Sequence, residues 1–331
     1  MRTPSPASGA PPPEVGPSLP PLVAIVGPTA AGKTALSIRL AEAAGGEIVS
    51  ADSRQVYQGM DIGTAKATAE EQARVPHHLL DIVPPDEPLS LAQYQELAYR
   101  AIEGIVARGR VPFLVGGTGQ YVMAVLEGWR IPRVPPHDDL RRELYQEAEQ
   151  RGAEALHARL EALDPEAAES IDPRNVRRVV RALEVCLVTG EPISEQQGKS
   201  PPPYRRLIIG LSLPRPELYG RIDRRVERMF EQGLEAEVRH LVAEGYGFDL
   251  PAMSGVGYGQ FEEYLAGEAS LDAVEQEIKR ATRRFVRHQA NWFRHDDPRI
   301  HWFQARPDPY PLVLELVQGF LEAQSTRRDA G

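Results

Sequence analysis

Cysteine is nearly missing from this chain: Cys186 is the single one among 331 residues. That excludes a disulfide framework and any zinc site built from several thiolates. It points to a reducing compartment, and the cytoplasm is the expected location. Long apolar runs are missing too. None approaches the roughly 18 residues that a membrane-spanning helix needs, so no membrane partner is expected. Nor is there an excess of positive charge, with 38 basic residues against 47 acidic ones and a net charge of −9. A protein coated on all sides by nucleic acid is thereby excluded, although a local basic face is not. At 42% apolar and 26% charged, the composition is that of an ordinary globular protein of one large or two modest domains.

Residues 1–21 hold eight prolines and no packable apolar pattern. Without the apolar stretch of a signal peptide, they read as a disordered tail whose removal leaves activity intact. Short apolar runs at 22–26 (LVAIV), 47–52 (EIVSAD), 111–115 (VPFLV) and 207–213 (LIIGLSL) read as strands. Helical patterns at 35–44 and 91–107 separate them. This alternation predicts an α/β fold with a parallel sheet covered on both faces. Between 131 and 204 the character changes to a charged, helix-forming stretch with proline-rich edges and no convincing strand. It reads as an all-helical insertion that divides the core into residues 22–130 and 205–331, and most of the chain after 216 reads as helical. His77 and His78 lack the further ligands of a metal site and are assigned structural roles. Cys186 falls on the apolar side of its helix pattern and is assigned to the core.

Gly27, Pro28, Thr29, Ala30, Ala31, Gly32, Lys33 and Thr34 form G-x-x-x-x-G-K-T between a strand and a helix, the context that a phosphate loop requires. The loop N–H groups and the helix dipole face an anion, Lys33 adds a point charge, and Thr34 can ligate Mg²⁺. A diphosphate-bearing ligand is therefore expected here. An ATP-hydrolysing or kinase site would normally add an acid at the end of another core strand. The 111–115 strand runs instead into Gly116-Gly117-Thr118-Gly119. Asp52 is the only comparably placed carboxylate, and as a lone acid beside the loop it suits either a metal ligand or a general base.

Two segments carry arginine at helical spacing. At 100° per residue, Arg174, Arg177, Arg178 and Arg181 fall within an arc of about 100°. Arg280, Arg283, Arg284, Arg287 and Arg294 likewise share a face with Asn291. Solvated faces usually mix signs, so two unmixed arginine faces in an acidic protein point to a polyanionic partner.

The chain resembles the tRNA dimethylallyltransferases (tRNA isopentenyltransferases) of bacterial type. The resemblance rests on GPTAAGKT (27–34), ADSRQVYQGMDIGTAK (51–66), PHHLLDI (76–82), VGGTGQY (115–121), RNVRRVVRALEV (174–185), RIDRRVERM (221–229), SGVGYGQ (254–260) and RHQANWFR (287–294), in family order across nearly all of 22–305. Ala31 and Gln120 depart from the residues common at their positions, and neither removes a group that the chemistry uses. The fold implied is a P-loop NTPase-like parallel sheet flanked by helices, with an inserted all-helical domain that contacts tRNA.

The activity implied is transfer of a dimethylallyl group from dimethylallyl diphosphate to N6 of the adenosine 3′-adjacent to the anticodon. Asp52 would be the general base, with Lys33, Thr118 and Arg225 catalytic. Residues 27–34 and Arg225 would bind diphosphate, and Thr34 would bind Mg²⁺. The implied tRNA contacts are Asp52, Ser53, Arg54, Gln55, Thr118, Arg141, Arg177, Arg178, Val179, Val180, Arg181, the segment Ser254, Gly255, Val256, Gly257, Tyr258, Gly259, and the segment Arg287, His288, Gln289, Ala290, Asn291, Trp292, Phe293, Arg294. Ser53 and Gln55 would read the target base edge, and the partner is the tRNA anticodon stem-loop bound by a monomer. Prenylation of free adenine nucleotides, a small-molecule P-loop kinase and a non-catalytic RNA-binding protein are the alternatives.

Overall fold

A computed structural model describes residues 19–328. Residues 1–18 of the expected tail lie outside the described residues, whereas 19–21 join the folded part: Arg205 donates its N–H to Pro20 O at 2.9 Å. In chain order the first half runs β1 (Pro21–Val26), α1 (Lys33–Ala44), β2 (Gly46–Ser50), α2 (Ala69–Arg74), β3 (His77–His78), α3 (Leu91–Ala107), β4 (Val111–Val115), α4 (Gly119–Glu127) and β5 (Trp129–Arg130). Next come α5 (Asp138–Arg151), α6 (Ala153–Leu163), α7 (Pro165–Ser170), α8 (Val176–Thr189), α9 (Ile193–Gln196) and β6 (Gly198–Lys199). The chain then forms β7 (Arg205–Ser212), α10 (Arg215–Glu231), α11 (Leu234–Ala243), α12 (Glu262–Leu265), α13 (Leu271–Trp292), β8 (Ile300–Gln304) and α14 (Tyr310–Arg328).

Six strands form one sheet in the order β3-β2-β4-β1-β7-β8, with every ladder parallel. β1 is a continuous apolar run because both of its faces are covered. Leu22, Ala24 and Val26 enter one core layer, while Val23 and Ile25 enter the other. Full burial of each large residue in such a run contributes roughly 1.5–3 kcal/mol, so the strand that aims the phosphate loop is firmly seated. The helices on one face include α3, α4, α10, α11 and α13; α1 and α14 cover the other. α3 begins with a capping box in which Ser90 and Gln93 satisfy each other's backbone N–H.

Five elements differ from the sequence reading, among them β5 and β6, the latter inside the stretch read as all-helical. β8 adds a sixth strand beyond residue 216, at the edge, where only Ile300 is buried and the apolar signal is weak. α4 follows directly from the glycine-rich turn, and β3 is only two residues long. Helices α5–α9 pack around a separate apolar cluster that includes Leu144, Leu156, Leu160, Val179 and Leu183. A two-residue antiparallel ribbon, β5 with β6, closes the neck of this unit. Cys186 is buried in that cluster. Among the described residues no helix is long and apolar enough to cross a membrane.

Candidate active site

The site lies at the carboxyl ends of β1, β2 and β4, where open parallel sheets receive ligands. Gly27 leaves β1 with φ +136°, and a Cβ there would strike Leu211 O. The loop then enters α1, whose N-terminus has no side-chain cap and no acid in its first turn. Its leading N–H groups are therefore open to an anion. Lys33 folds back over the loop, donating to Gly27 O at 3.0 Å and Pro28 O at 2.9 Å. Its side chain is half-buried, but its ammonium is desolvated. That burial pushes the pKa down to about 8, helped by Arg225 and opposed by Asp52. Asp52 and Arg225 thus lie within electrostatic reach of the loop lysine.

Asp52 follows β2. Its Oδ1 accepts the Arg54 N–H at 2.9 Å, while Oδ2 accepts no hydrogen bond from the described residues. One oxygen orients the carboxylate and the other is left for a ligand. Thr118, at the start of α4, is tied to the same turn: its N–H donates to Ala51 O at 3.2 Å, and its Oγ1 accepts the Ser53 N–H at 3.0 Å. Arg225 reaches in from α10 and donates to Thr64 O at 3.4 Å. Burial lowers its pKa, although a guanidinium remains charged.

A cavity of ≈ 900 Å³ opens beside the loop, lined among others by Lys33, Thr34, Arg221, Arg224, Arg225 and Arg228. The sequence reading took only Arg225 from this helix. The signal was present, because residues 221, 224, 225 and 228 share one helical face at i, i+3, i+4, i+7. A metal suited to this site is narrowly defined. Among the described residues no cluster of three or more His, Cys, Asp or Glu could hold one. Thr34 lines the cavity with a hydroxyl that makes no hydrogen bond to the described residues. A single hard oxygen beside an anion site fits Mg²⁺, which keeps several waters and takes its other ligands from phosphates.

The expected RNA contacts divide into three groups. Ser53, Arg177, Arg178, Ser254, Val256, Arg287, His288, Ala290, Asn291 and Trp292 are at least partly exposed. Others are exposed but paired: Arg174 with Asp172 at 2.6 Å, Arg280 and Arg284 with Glu277, and Arg294 with Asp296. Arg283 reaches Asp223 on α10. The arginine faces are therefore not unmixed: Asp172, Glu277 and Asp296 answer them from nearby in the chain, and Asp223 answers Arg283 from another helix. Arg177, Arg178 and Arg287 remain without an acidic partner among the described residues.

The third group is buried or already tied to other protein groups, with Arg54, Gln55, Arg141 and Arg181 half-buried. Val179 and Val180 are 0% and 1% exposed and belong to the core of the helical unit. Arg141 forks onto buried Glu184 at 2.8 and 2.9 Å, and Arg181 reaches the same carboxylate at 2.5 Å. Tyr258 is buried, with its hydroxyl on Glu237 Oε1 at 2.7 Å. Glu237 in turn accepts the N–H groups of Asp61, Ile62 and Gly63. Gln55, expected at the base edge, spends its amide on Ser50, Thr64 and Ala65. Arg54 clamps the carbonyls of Pro251 and Ala252. Gly255, Gly257, Phe293 and Gln289 are buried, and Gly259 is half-buried. His77 and His78 bond Val75 O and Glu47 Oε2, both at 2.7 Å.

A Gly-Lys-Thr loop at the tip of a central parallel strand, faced by a lone carboxylate rather than a strand-end metal acid, defines a P-loop-type transferase. Comparison with known proteins makes the class specific. The family model "IPP transferase" matches residues 55–296, and "Isopentenyl transferase" matches residues 20–81. A tRNA dimethylallyltransferase of Roseiflexus sp. (strain RS-1) is 60% identical over 274 residues, covering 83% of this chain and 90% of that protein. One from Dehalococcoides mccartyi is 49% identical over 305 residues, covering 92% and 94%. The crystal structure of the full-length tRNA isopentenylpyrophosphate transferase of Bacillus halodurans is 42% identical with a TM-score of 0.69, covering 93% of this chain and 99% of that one. A eukaryotic dimethylallyltransferase described as acting on tRNA superposes with a TM-score of 0.73 at 26% identity, covering 86% and 74%. The chain belongs to the IPP transferase family.

Proposed function

We propose that this protein transfers a dimethylallyl group from dimethylallyl diphosphate to N6 of the adenosine 3′-adjacent to the anticodon of tRNA, releasing diphosphate. It acts as a cytoplasmic monomer with Mg²⁺. The observation that carries the reading is the juxtaposition of Asp52 with Lys33 and Arg225: a proton acceptor lies within electrostatic reach of the anion site. The curated relatives, named as tRNA dimethylallyltransferases, support tRNA as the acceptor.

An exocyclic adenine amine is a weak nucleophile because its lone pair is delocalised into the ring. As N6 bonds to the prenyl carbon and the C–O bond to diphosphate breaks, Oδ2 of Asp52 takes the N6 proton. Negative charge gathering on the departing oxygen is met by Lys33, Arg225, the N-terminus of α1 and the hydroxyl of Thr118. Mg²⁺, held by Thr34, would supply further charge neutralisation to the diphosphate when bound. The base must leave its stack to reach Asp52. Helices α5–α9, with exposed Arg177 and Arg178, would hold the anticodon stem.

The test offers purified protein unmodified tRNA, free AMP and Mg²⁺, with label in either dimethylallyl diphosphate or ATP. Label entering tRNA only from the prenyl donor is the expected result. Label in AMP alone would identify a nucleotide prenyltransferase, and phosphate transfer from ATP without prenylation would replace the reading with a kinase.

A further inference from the structure

Gln289 was expected at the RNA surface, yet its side chain lies in the interior. It is 5% exposed, and both ends of its amide are used. Oε1 accepts the Thr29 N–H at 2.9 Å, and Nε2 donates to Gly117 O at 3.0 Å. Thr29 belongs to the phosphate loop and Gly117 to the loop that carries Thr118. One side chain from α13 therefore ties the two loops together.

The bridge stands where the sheet stops helping. The β1–β4 ladder pairs Ile25 with Val115, and its last backbone bond runs from Gly116 N–H to Ile25 O at 3.2 Å. Beyond that bond, no backbone hydrogen bond among the described residues joins the phosphate loop to residues 117–119. The glycines of this turn make room for the strut. A Cβ at Gly117 would run into Gln289 Nε2, and one at Gly119 would run into the indole of Trp292, one turn further along α13. Thr118 in turn holds Ser53, the neighbour of Asp52.

We infer that Gln289 is a positioning residue: it sets the separation between the diphosphate loop and the Thr118–Ser53–Asp52 side, and so the distance between leaving group and proton acceptor. The partners are a backbone donor and a backbone acceptor. Only a side chain that offers both an acceptor and a donor can serve them together, which is the property of a primary amide. Misplacing reacting groups by about 1 Å can cost on the order of 100-fold in rate. The inference rests on the transferase reading above.

The test compares single-turnover prenyl transfer by the wild-type chain, Gln289→Met and Gln289→Glu from pH 5.5 to 8.5, with tRNA binding and thermal melts measured alongside. Gln289→Met keeps the volume and loses both bonds. Its rate is expected to fall about 10- to 100-fold at every pH, with KM for both substrates within about threefold of wild type.

Gln289→Glu loses the donor only while its carboxyl is ionised. Once protonated, the carboxyl again offers one acceptor and one donor, and burial raises the pH at which that happens. Its rate relative to wild type is therefore expected to recover as the pH falls. A purely space-filling role would not show the loss in Gln289→Met. Wild-type rates in Gln289→Met, or a pH-independent ratio for Gln289→Glu, would overturn the inference. Should Gln289→Met fail to fold, the pH dependence of Gln289→Glu decides. A wild-type chain that does not prenylate tRNA would refute the transferase reading instead.

Discussion

Thr118 Oγ1 lies 3.0 Å from the backbone nitrogen of Ser53 and accepts its N–H. The turn after β4 is thereby fastened to the turn after β2, next to Asp52. In Thr118→Val the Ser53 N–H loses its acceptor, at a cost of about 1–3 kcal/mol. Single-turnover prenyl transfer should drop by roughly tenfold or more, while Thr118→Ser, which keeps the acceptor, should stay within a few-fold of wild type.

Asp52→Asn keeps an oxygen for the Arg54 N–H and removes the proton acceptor. The chemical step should slow by about 10²–10⁴-fold, with tRNA affinity in a filter-binding titration unchanged within a few-fold. Wild-type turnover in this variant would remove Asp52 as the base.

Lys33 carries a pKa of about 8 in the folded protein against 10.5 for an ordinary lysine. In the free enzyme its charge is therefore present below about pH 8 and lost above it. Binding an anion at the loop favours the charged form, so KM for the diphosphate donor should rise as the pH passes through 8. The stability effect has the opposite sense. The unfolded chain binds this proton more tightly than the folded one, so charged Lys33 opposes folding at neutral pH, and this cost is relieved as the pH rises from about 8 towards 10.5. Lys33→Met should abolish transfer and yet raise Tm at pH 7, by an amount bounded at about 3 kcal/mol and reduced by the loss of two loop hydrogen bonds.

Arg177→Glu with Arg178→Glu should weaken tRNA binding and flatten its dependence on salt concentration, because a surface that neutralises fewer phosphates releases fewer counterions from the RNA. Arg181→Glu should behave differently. It sets a carboxylate against Glu184, which is fully buried and already shared with Arg141, and so should lower Tm before it alters the salt slope.

Tyr258→Phe removes one of the hydrogen bonds to Glu237, a carboxylate that also holds the 61–63 turn. Denaturant unfolding should show a loss of about 1.5–3 kcal/mol, with tRNA affinity unchanged. A fall in affinity without a fall in stability would restore Tyr258 to the RNA surface.

Much of the core was legible along the chain. The run LVAIV before Gly27 is a strand buried on both faces, and GPTAAGKT after it is a loop whose chemistry depends only on neighbours in sequence. β8 and β3 were not legible, because an edge strand of five residues and a two-residue strand carry almost no periodicity. The arginine faces were half legible. Helical spacing shows which residues share a side, but Asp223, which answers Arg283, comes from a helix 60 residues away.

The sequence by itself determined the phosphate loop, its lone carboxylate Asp52 and the family, because these are local patterns of residue type and spacing. Only the tertiary structure decided that Gln289 and Tyr258 face inward. It alone also decided that Arg141, from another helix, joins Arg181 in neutralising Glu184. Whether a polar side chain meets water, a ligand or a buried partner depends on what other elements bring to it, and no spacing along one helix encodes that.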